Sequence, residues 1–158
     1  IEEPLLVAHA VYDEDFRVLA PTSHPWAKQK AIASSALLDA QLLMLGAGNC
    51  FRDQVLDLCA TAISQSGISP HVIEGSSLET IRHMVASGVG VTVMPSSAVD
   101  DISLKDPLLR VRPFSEPNPP RRVGLVWRAS YPRHQAVEVI RRALLACKLP
   151  GTRAVAAR

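Results

Sequence analysis

The sequence lacks several features that would assign it to a specialised class of protein. No hydrophobic run approaches the length of a membrane-spanning helix, which needs about eighteen apolar residues. The N-terminal stretch IEEPLLVAHAVYDEDF lacks the basic region of a signal peptide. Cysteine is scarce, and three cysteines without a CxxC pair argue against a disulfide scaffold and a structural zinc site. The net charge of +2 is too small to indicate direct nucleic-acid binding. We therefore expect a soluble cytoplasmic protein without a cofactor or membrane partner.

What remains is the composition of a globular α/β protein. With 158 residues, of which 47% are hydrophobic, the chain can bury one compact core. Strand-like and helix-like segments alternate, which is typical of an α/β fold with a largely parallel sheet. The pattern predicts strands at residues 4–12, 16–21, 41–45, 71–74, 89–95, 108–114 and 121–127. It predicts helices at residues 49–66, 76–87 and 134–147, followed by a frayed tail.

Three local signals refine this layout. Ser76 and Glu79 have the spacing of a capping box, and Gly88 is a suitable helix stop. Cys147 falls on the apolar face of the last predicted helix, which predicts a core position. The first two predicted strands are separated by DED alone, whereas a doubly wound domain opens with a strand that feeds a helix. We therefore expect the chain to begin in the middle of a larger domain.

The stretch NCFRDQVLDLC, residues 49–59, places two cysteines in one predicted helix. Nine residues at about 1.5 Å each separate Cys50 from Cys59 by about 13.5 Å along the axis. A disulfide needs Cα atoms within about 7 Å. The two thiols therefore cannot bond while the helix is intact.

The two cysteines are predicted to lie in different environments. Cys59 shares the apolar face with Phe51 and Val55, so it should be buried. Cys50 follows Asn49, a good N-cap residue, and the helix dipole with nearby Arg52 favours its thiolate. Cys50 is thus predicted to be reactive and Cys59 protected, and oxidation joining them would require local refolding. The alternative is that both are ordinary structural cysteines.

The segments LLMLGAGNCFRDQVLDLC, GSSLETIRHMVASGVGVTVMP and RRVGLVWR resemble the regulatory domain of the OxyR family, the hydrogen-peroxide-sensing LysR-type transcriptional regulators. The resemblance covers nearly the whole chain. It implies a periplasmic-binding-protein-like (type 2) LysR effector-domain fold with one complete subdomain and parts of the other. Residues 1–15 would belong to subdomain I and the first hinge strand, and residues 16–121 to subdomain II. Residues 122–158 would supply the second hinge strand, the C-terminal helix of subdomain I and the frayed tail.

The resemblance also implies roles for individual residues. Cys50 would react with peroxide and Cys59 would resolve the product as a reversible disulfide. Supporting residues would be Asn49, Arg52, Asp53, Arg128 and His71. Asn49 stands where many family members carry histidine, so an adjacent imidazole is missing here. Threonines that the family places near peroxide would belong to a part of subdomain I outside this sequence.

The resemblance further implies partners for the parent protein and leaves alternatives open. We expect promoter DNA bound through an N-terminal helix-turn-helix absent from this sequence, RNA polymerase, a homodimer or homotetramer, and cellular thiol reductants. A regulator, not an enzyme, is predicted. One alternative is a LysR-type effector domain that binds a metabolite, because helix N-termini suit a carboxylate. The other is a thiol peroxidase.

Overall fold

The computed structural model describes residues 5–100, 105–116, 118 and 120–155. The strands are β1 (Leu6–Glu14), β2 (Phe16–Pro21), β3 (Gln41–Leu45), β4 (His71–Gly75), β5 (Val91–Pro95), β6 (Leu109–Pro113), β7 (Arg121–Arg128) and β8 (Thr152–Ala154). The helices are α1 (Cys50–Ser66), α2 (Leu78–Ala86), α3 (Ser96–Val99) and α4 (His134–Ala146), with 3-10 helices at Pro25–Lys28 and Ser34–Asp39. Residue 4 of the first predicted strand and residues 156–158 of the predicted tail lie outside the described residues.

The larger sheet has the strand order β4-β3-β5-β2-β6. β3 pairs in parallel with both β4 and β5, whereas β2 runs antiparallel to β5 and β6. The prediction of a largely parallel sheet therefore holds around β3, and β2 makes the sheet mixed. The predicted α/β class is confirmed.

Alternating side chains of β3 supply both faces of this sheet, as the two-residue period of a strand requires. Leu42 and Met44 point into a core that is shared with α1 and the 3-10 helix Ser34–Asp39. Leu43 points to the opposite face, where it packs with Ile81 and Val85 of α2. Two apolar layers thus sandwich the sheet and fix the positions at which α1 and α2 begin.

Both long helices on this sheet begin at a polar cap. The Asn49 side chain accepts a hydrogen bond from the Phe51 amide, and α1 stops at Gly67, whose φ of 70° suits glycine. The bounds predicted for α1 are confirmed. The capping residue predicted for α2 is wrong by one position, because Ser77, not Ser76, accepts from the Thr80 amide. The Ser76 hydroxyl lies beside the Thr80 hydroxyl instead.

The smaller sheet is antiparallel, in the order β7-β1-β8. β1 pairs with β7 from Leu6 opposite Arg128 to Glu14 opposite Arg121. Asp15 alone separates β1 from β2, so the chain passes directly from one sheet to the other. β8 pairs with the end of β1, and the Asp15 amide donates to the Gly151 carbonyl. The expectation of a frayed tail is therefore wrong for residues 152–154, because they complete this sheet.

The apolar face of α4 is exposed. Val139 is 66% exposed and Ile140 52% exposed, and Cys147 is exposed just beyond the helix. The predicted core position of Cys147 is wrong, because the amphipathic pattern of a helix does not show what covers its apolar face. None of the helices within the described ranges combines the length and apolar character that crossing a membrane requires.

Candidate functional site

The candidate site lies where β3 and β4 end and α1 and α2 begin. The loop at residues 45–49 and the segment at residues 74–76 line an open cavity of about 520 Å³. Gly48 adopts a φ of 86°, a conformation that favours glycine, and thereby turns the loop into α1. The parallel pairing of β3 with β4 brings their carboxyl ends together at this edge. The fold therefore presents the first turn of α1 to solvent.

Cys50 is the first residue of α1, and it is exposed and free. Asn49 Oδ1 accepts a hydrogen bond of 3.0 Å from the Phe51 amide, and the Asn49 carbonyl accepts 2.9 Å from the Arg52 amide. These two bonds hold the Cys50 backbone inside an ordered first turn. The predicted exposure of Cys50 and the capping role of Asn49 are confirmed.

Cys59 lies on the opposite side of the same helix and is completely buried, at 0% exposure. Its Sγ donates a long hydrogen bond of 3.9 Å to the Ser34 carbonyl of the neighbouring 3-10 helix. Burial raises the pKa of the Cys59 thiol. The predicted burial of Cys59 in the core is confirmed.

Arg52 ties the first turn of α1 to the ends of both neighbouring strands. Its Nη1 donates a hydrogen bond of 2.6 Å to Glu74 Oε1 near the end of β4 and one of 3.0 Å to the Leu45 carbonyl at the end of β3. Its side chain is 19% exposed, against 54% for Glu74. Asp53 is exposed in the first turn, where a negative charge suits the helix dipole. The hydrogen bonds of the Arg52 guanidinium are thus directed to the strands.

Sequence reasoning missed Arg121, the first residue of β7. Its guanidinium carbon lies 5.4 Å from the ring centre of Phe51, the residue that follows Cys50. Arg121 Nε also lies 2.9 Å from Oε2 of Glu14, which is 1% exposed. The same Phe51 ring lies 6.0 Å from the Phe16 ring at the start of β2. Phe51 therefore lies beside the first residue of β7 in the smaller sheet and the first residue of β2 in the larger sheet.

The structure does not bring Arg128 or His71 to this site. Arg128 is an exposed residue at the far end of β7, seven residues and about 23 Å along the strand from Arg121. His71 is exposed at the start of β4, about 13 Å along that strand from its end at Gly75. In this fold, the arginine of β7 that lies beside the first turn of α1 is Arg121.

No group of three or more histidine, cysteine, aspartate or glutamate side chains suited to a metal ion occurs in the described part of the chain. The chemistry that the described geometry offers is that of thiols. One thiol faces solvent at the start of a helix, and the other is stored in the core.

The sequence of the chain also matches a known family. The model of the LysR substrate binding domain matches residues 1–147, and the chain belongs to that family. The predicted fold class is thereby confirmed.

Within this family the chain is similar to OxyR proteins, as its sequence predicted. The reduced form of the OxyR regulatory domain from Pseudomonas aeruginosa is 46% identical with a TM-score of 0.81, over 93% of this chain and 69% of that one. A hydrogen-peroxide-bound OxyR mutant from Corynebacterium glutamicum is 35% identical with a TM-score of 0.76, over 91% of this chain and 45% of that one. The DNA-binding transcriptional dual regulator OxyR of Escherichia coli K12 is 32% identical over 92% of this chain and 46% of its own length.

The chain spans less than half the length of the curated relatives it matches, from 38% to 46% for the first four. Three of these relatives are named hydrogen peroxide-inducible genes activators, two of them as probable, and the fourth is named a DNA-binding transcriptional dual regulator.

Proposed function

We propose that this chain is the redox-sensing regulatory domain of a hydrogen-peroxide-responsive LysR-type transcriptional regulator. It would switch by reversible formation of a Cys50–Cys59 disulfide. The observation that carries the proposal is the contrast between the two thiols of α1, one exposed at the first residue and one fully buried nine residues later. The similarity to peroxide-inducible regulators supports it.

The oxidation would proceed in two steps. The Cys50 thiolate attacks one oxygen of hydrogen peroxide, the O–O bond breaks, and a sulfenic acid forms while the other oxygen leaves as water after protonation. The Cys59 sulfur then attacks the Cys50 sulfur, the S–O bond breaks, and a second water leaves. Two thiols are oxidised by two electrons and peroxide is reduced to two waters. Thiol reductants of the cell would reverse the change by thiol–disulfide exchange.

The second step requires α1 to refold. Because about 13.5 Å of helix separates the two Cα atoms, the turns between Cys50 and Cys59 must unwind before their sulfurs meet. Taking Cys59 out of its core position costs about 2 to 5 kcal/mol, judged from deletions of buried side chains. Helix and disulfide are thus mutually exclusive states of one segment, which is the two-state element that a switch needs.

For the parent protein we infer partners outside these residues. The name of the E. coli relative supports binding of promoter DNA, which we assign to an N-terminal helix-turn-helix beyond this sequence. We infer a homodimer or homotetramer in the cytoplasm that changes its contact with RNA polymerase when the disulfide forms. The protein acts as a regulator, not an enzyme.

A second candidate is a LysR-type effector domain that binds a small carboxylate metabolite. The cavity beside Asn49 and Ser76 favours it, because the residues that line it include those just before α1 and α2, and helix N-termini suit an anion. In that case both cysteines of α1 would be incidental.

Mass spectrometry after one equivalent of hydrogen peroxide tests the proposal. We expect loss of two hydrogens and a crosslinked Cys50–Cys59 peptide pair. Cys59→Ser should instead hold Cys50 as a sulfenic acid that a dimedone probe captures, and Cys147→Ser, the matched control, should behave like the unchanged chain.

Unreacted thiols, or a disulfide that needs Cys147, would contradict the switch. Thermal stabilisation by a metabolite with unreacted thiols would favour the effector-domain alternative. Consumption of many equivalents of peroxide per chain would favour a thiol peroxidase.

A further inference from the structure

The N-terminal turn of α1 is fastened by one side chain that lies between the two cysteines in the sequence. Arg52 Nη1 contacts Glu74 Oε1 at 2.6 Å and the Leu45 carbonyl at 3.0 Å. We call these two contacts the Arg52 bridge. It joins the first turn of the helix to the ends of both β3 and β4.

The Arg52 bridge exists only with the helical arrangement of this segment. Arg52 belongs to the turns that must unwind for Cys50 to reach Cys59, so its guanidinium cannot keep both partners in the disulfide form. Any free energy that the bridge contributes therefore stabilises the reduced state alone. By linkage, it shifts the thiol–disulfide equilibrium by the same factor.

Glu74 is the half of the bridge that a substitution can remove without disturbing the core. Its side chain is 54% exposed, whereas Arg52 is 19% exposed and also bonds to a backbone carbonyl. Glu74 Oε2 lies near the loop as well, since a Cβ added at Gly46 would be 3.5 Å from it. The carboxylate thus lies where loop, helix and strand meet, and its hydrogen bond is to Arg52 and not to a cysteine sulfur.

We propose that Glu74 is a positioning residue that sets the redox midpoint of the Cys50–Cys59 pair by holding Arg52 in the reduced state. This inference rests on the proposed function. Glu74 takes no part in the bond-making steps and acts through Arg52. Weakening the Arg52 bridge makes the disulfide easier to form and harder to reduce.

The test is equilibration of the chain with oxidised and reduced glutathione. In this reaction two protein thiols become one disulfide while one oxidised glutathione becomes two reduced ones. Acid quenching, alkylation and mass spectrometry give the equilibrium constant. For Glu74→Gln we expect this constant to rise about two- to fivefold toward the disulfide, the range of a partly exposed ion pair.

Three further measurements identify the cause. In a cycle with Arg52→Gln, adding Glu74→Gln to the arginine variant should change the constant much less than it does alone. At about 1 M KCl, where the Debye length is about 3 Å, the ratio of the Glu74→Gln constant to that of the unchanged chain should fall toward one. Glu138→Gln, which removes the exposed pairs of Glu138 with Arg141 and Arg142 on α4, is the matched control and should leave the constant unchanged.

The outcomes separate the two proposals. If the unchanged chain forms no Cys50–Cys59 disulfide at any glutathione ratio, the proposed switch itself is refuted. If the disulfide forms and Glu74→Gln titrates with the same constant, or Glu138→Gln shifts it equally, the positioning role of Glu74 is refuted and the switch stands.

Discussion

Replacing Arg121 by glutamine should destabilise the reduced chain more than its surface position suggests. Glu14 is 1% exposed, and its Oε2 lies 2.9 Å from Arg121 Nε. Glu14 Oε1 accepts a hydrogen bond of 3.0 Å from the Ser97 amide. Of these two partners, only Arg121 carries the positive charge that compensates the buried carboxylate. Removing one partner of a buried pair typically costs about 3 to 5 kcal/mol.

The magnitude for Arg121→Gln follows from two contributions. Because Arg121 is 25% exposed and the Ser97 bond remains, we discount the loss of the ion pair to about 2 kcal/mol. Loss of the cation over the Phe51 ring adds about 0.5 to 1 kcal/mol. We expect a decrease of about 2.5 to 3 kcal/mol in the free energy of unfolding.

Urea unfolding of the reduced chain at pH 7, followed by circular dichroism, measures this decrease. Adding Glu14→Gln to Arg121→Gln should restore part of the stability, because no buried charge is then left without a partner. Arg122→Gln is the matched control: Arg122 pairs with Asp13 but is 64% exposed, so its loss should cost well under 1 kcal/mol. A cost below about 1 kcal/mol for Arg121→Gln, or a double variant as unstable as the sum of both single variants, would refute the reasoning.

Two further predictions concern the ion pair of Asp15 with Arg153 and the cap of α1 at Asn49. Burial tends to raise the pKa of Asp15, but hydrogen bonds from Arg153 and Arg17 outweigh it and lower that pKa. Because its pKa is lowered in the folded state, ionised Asp15 stabilises the fold above its unfolded-state pKa of about 4, and this stabilisation is lost as the pH falls below that value. Arg153→Gln removes part of it, so the decrease of Tm between about pH 5 and pH 3 should be less steep in this variant. An equally steep loss would contradict this. Asn49→Ala should cost about 1 kcal/mol by removing the cap on the Phe51 amide, whereas Asn49→Ser should cost little; equal unfolding curves for both would contradict the cap.

The sequence was most informative where structure depends on neighbours along the chain. The cap at Asn49, the stop at Gly67 and the apolar spacing of Phe51, Val55 and Cys59 are local signals. They correctly predicted α1, the exposure of Cys50 and the burial of Cys59. The choice between Ser76 and Ser77 as the cap of α2 is also local, but both serines suit it chemically.

Features that depend on distant contacts could not be read in the same way. β8 forms because residues 152–154 pair with β1, which lies about 140 positions earlier in the chain, and no local sequence pattern predicts that pairing. The place of Arg121 over Phe51 depends on the register of β7 against β1, which no local pattern shows, and the family resemblance indicated Arg128 instead. The exposure of Cys147 depends on what covers α4, which periodicity does not specify.

Burial of Cys59 also has a consequence for timing. In the proposed switch, peroxide meets only the exposed thiol, whereas the second thiol becomes available at the frequency with which α1 opens. Once peroxide is plentiful, the rate of disulfide formation would depend on that opening frequency and no longer on peroxide concentration. A brief exposure would leave a sulfenic acid that a reductant can still erase, so the helix would act as a delay that separates transient from sustained oxidant.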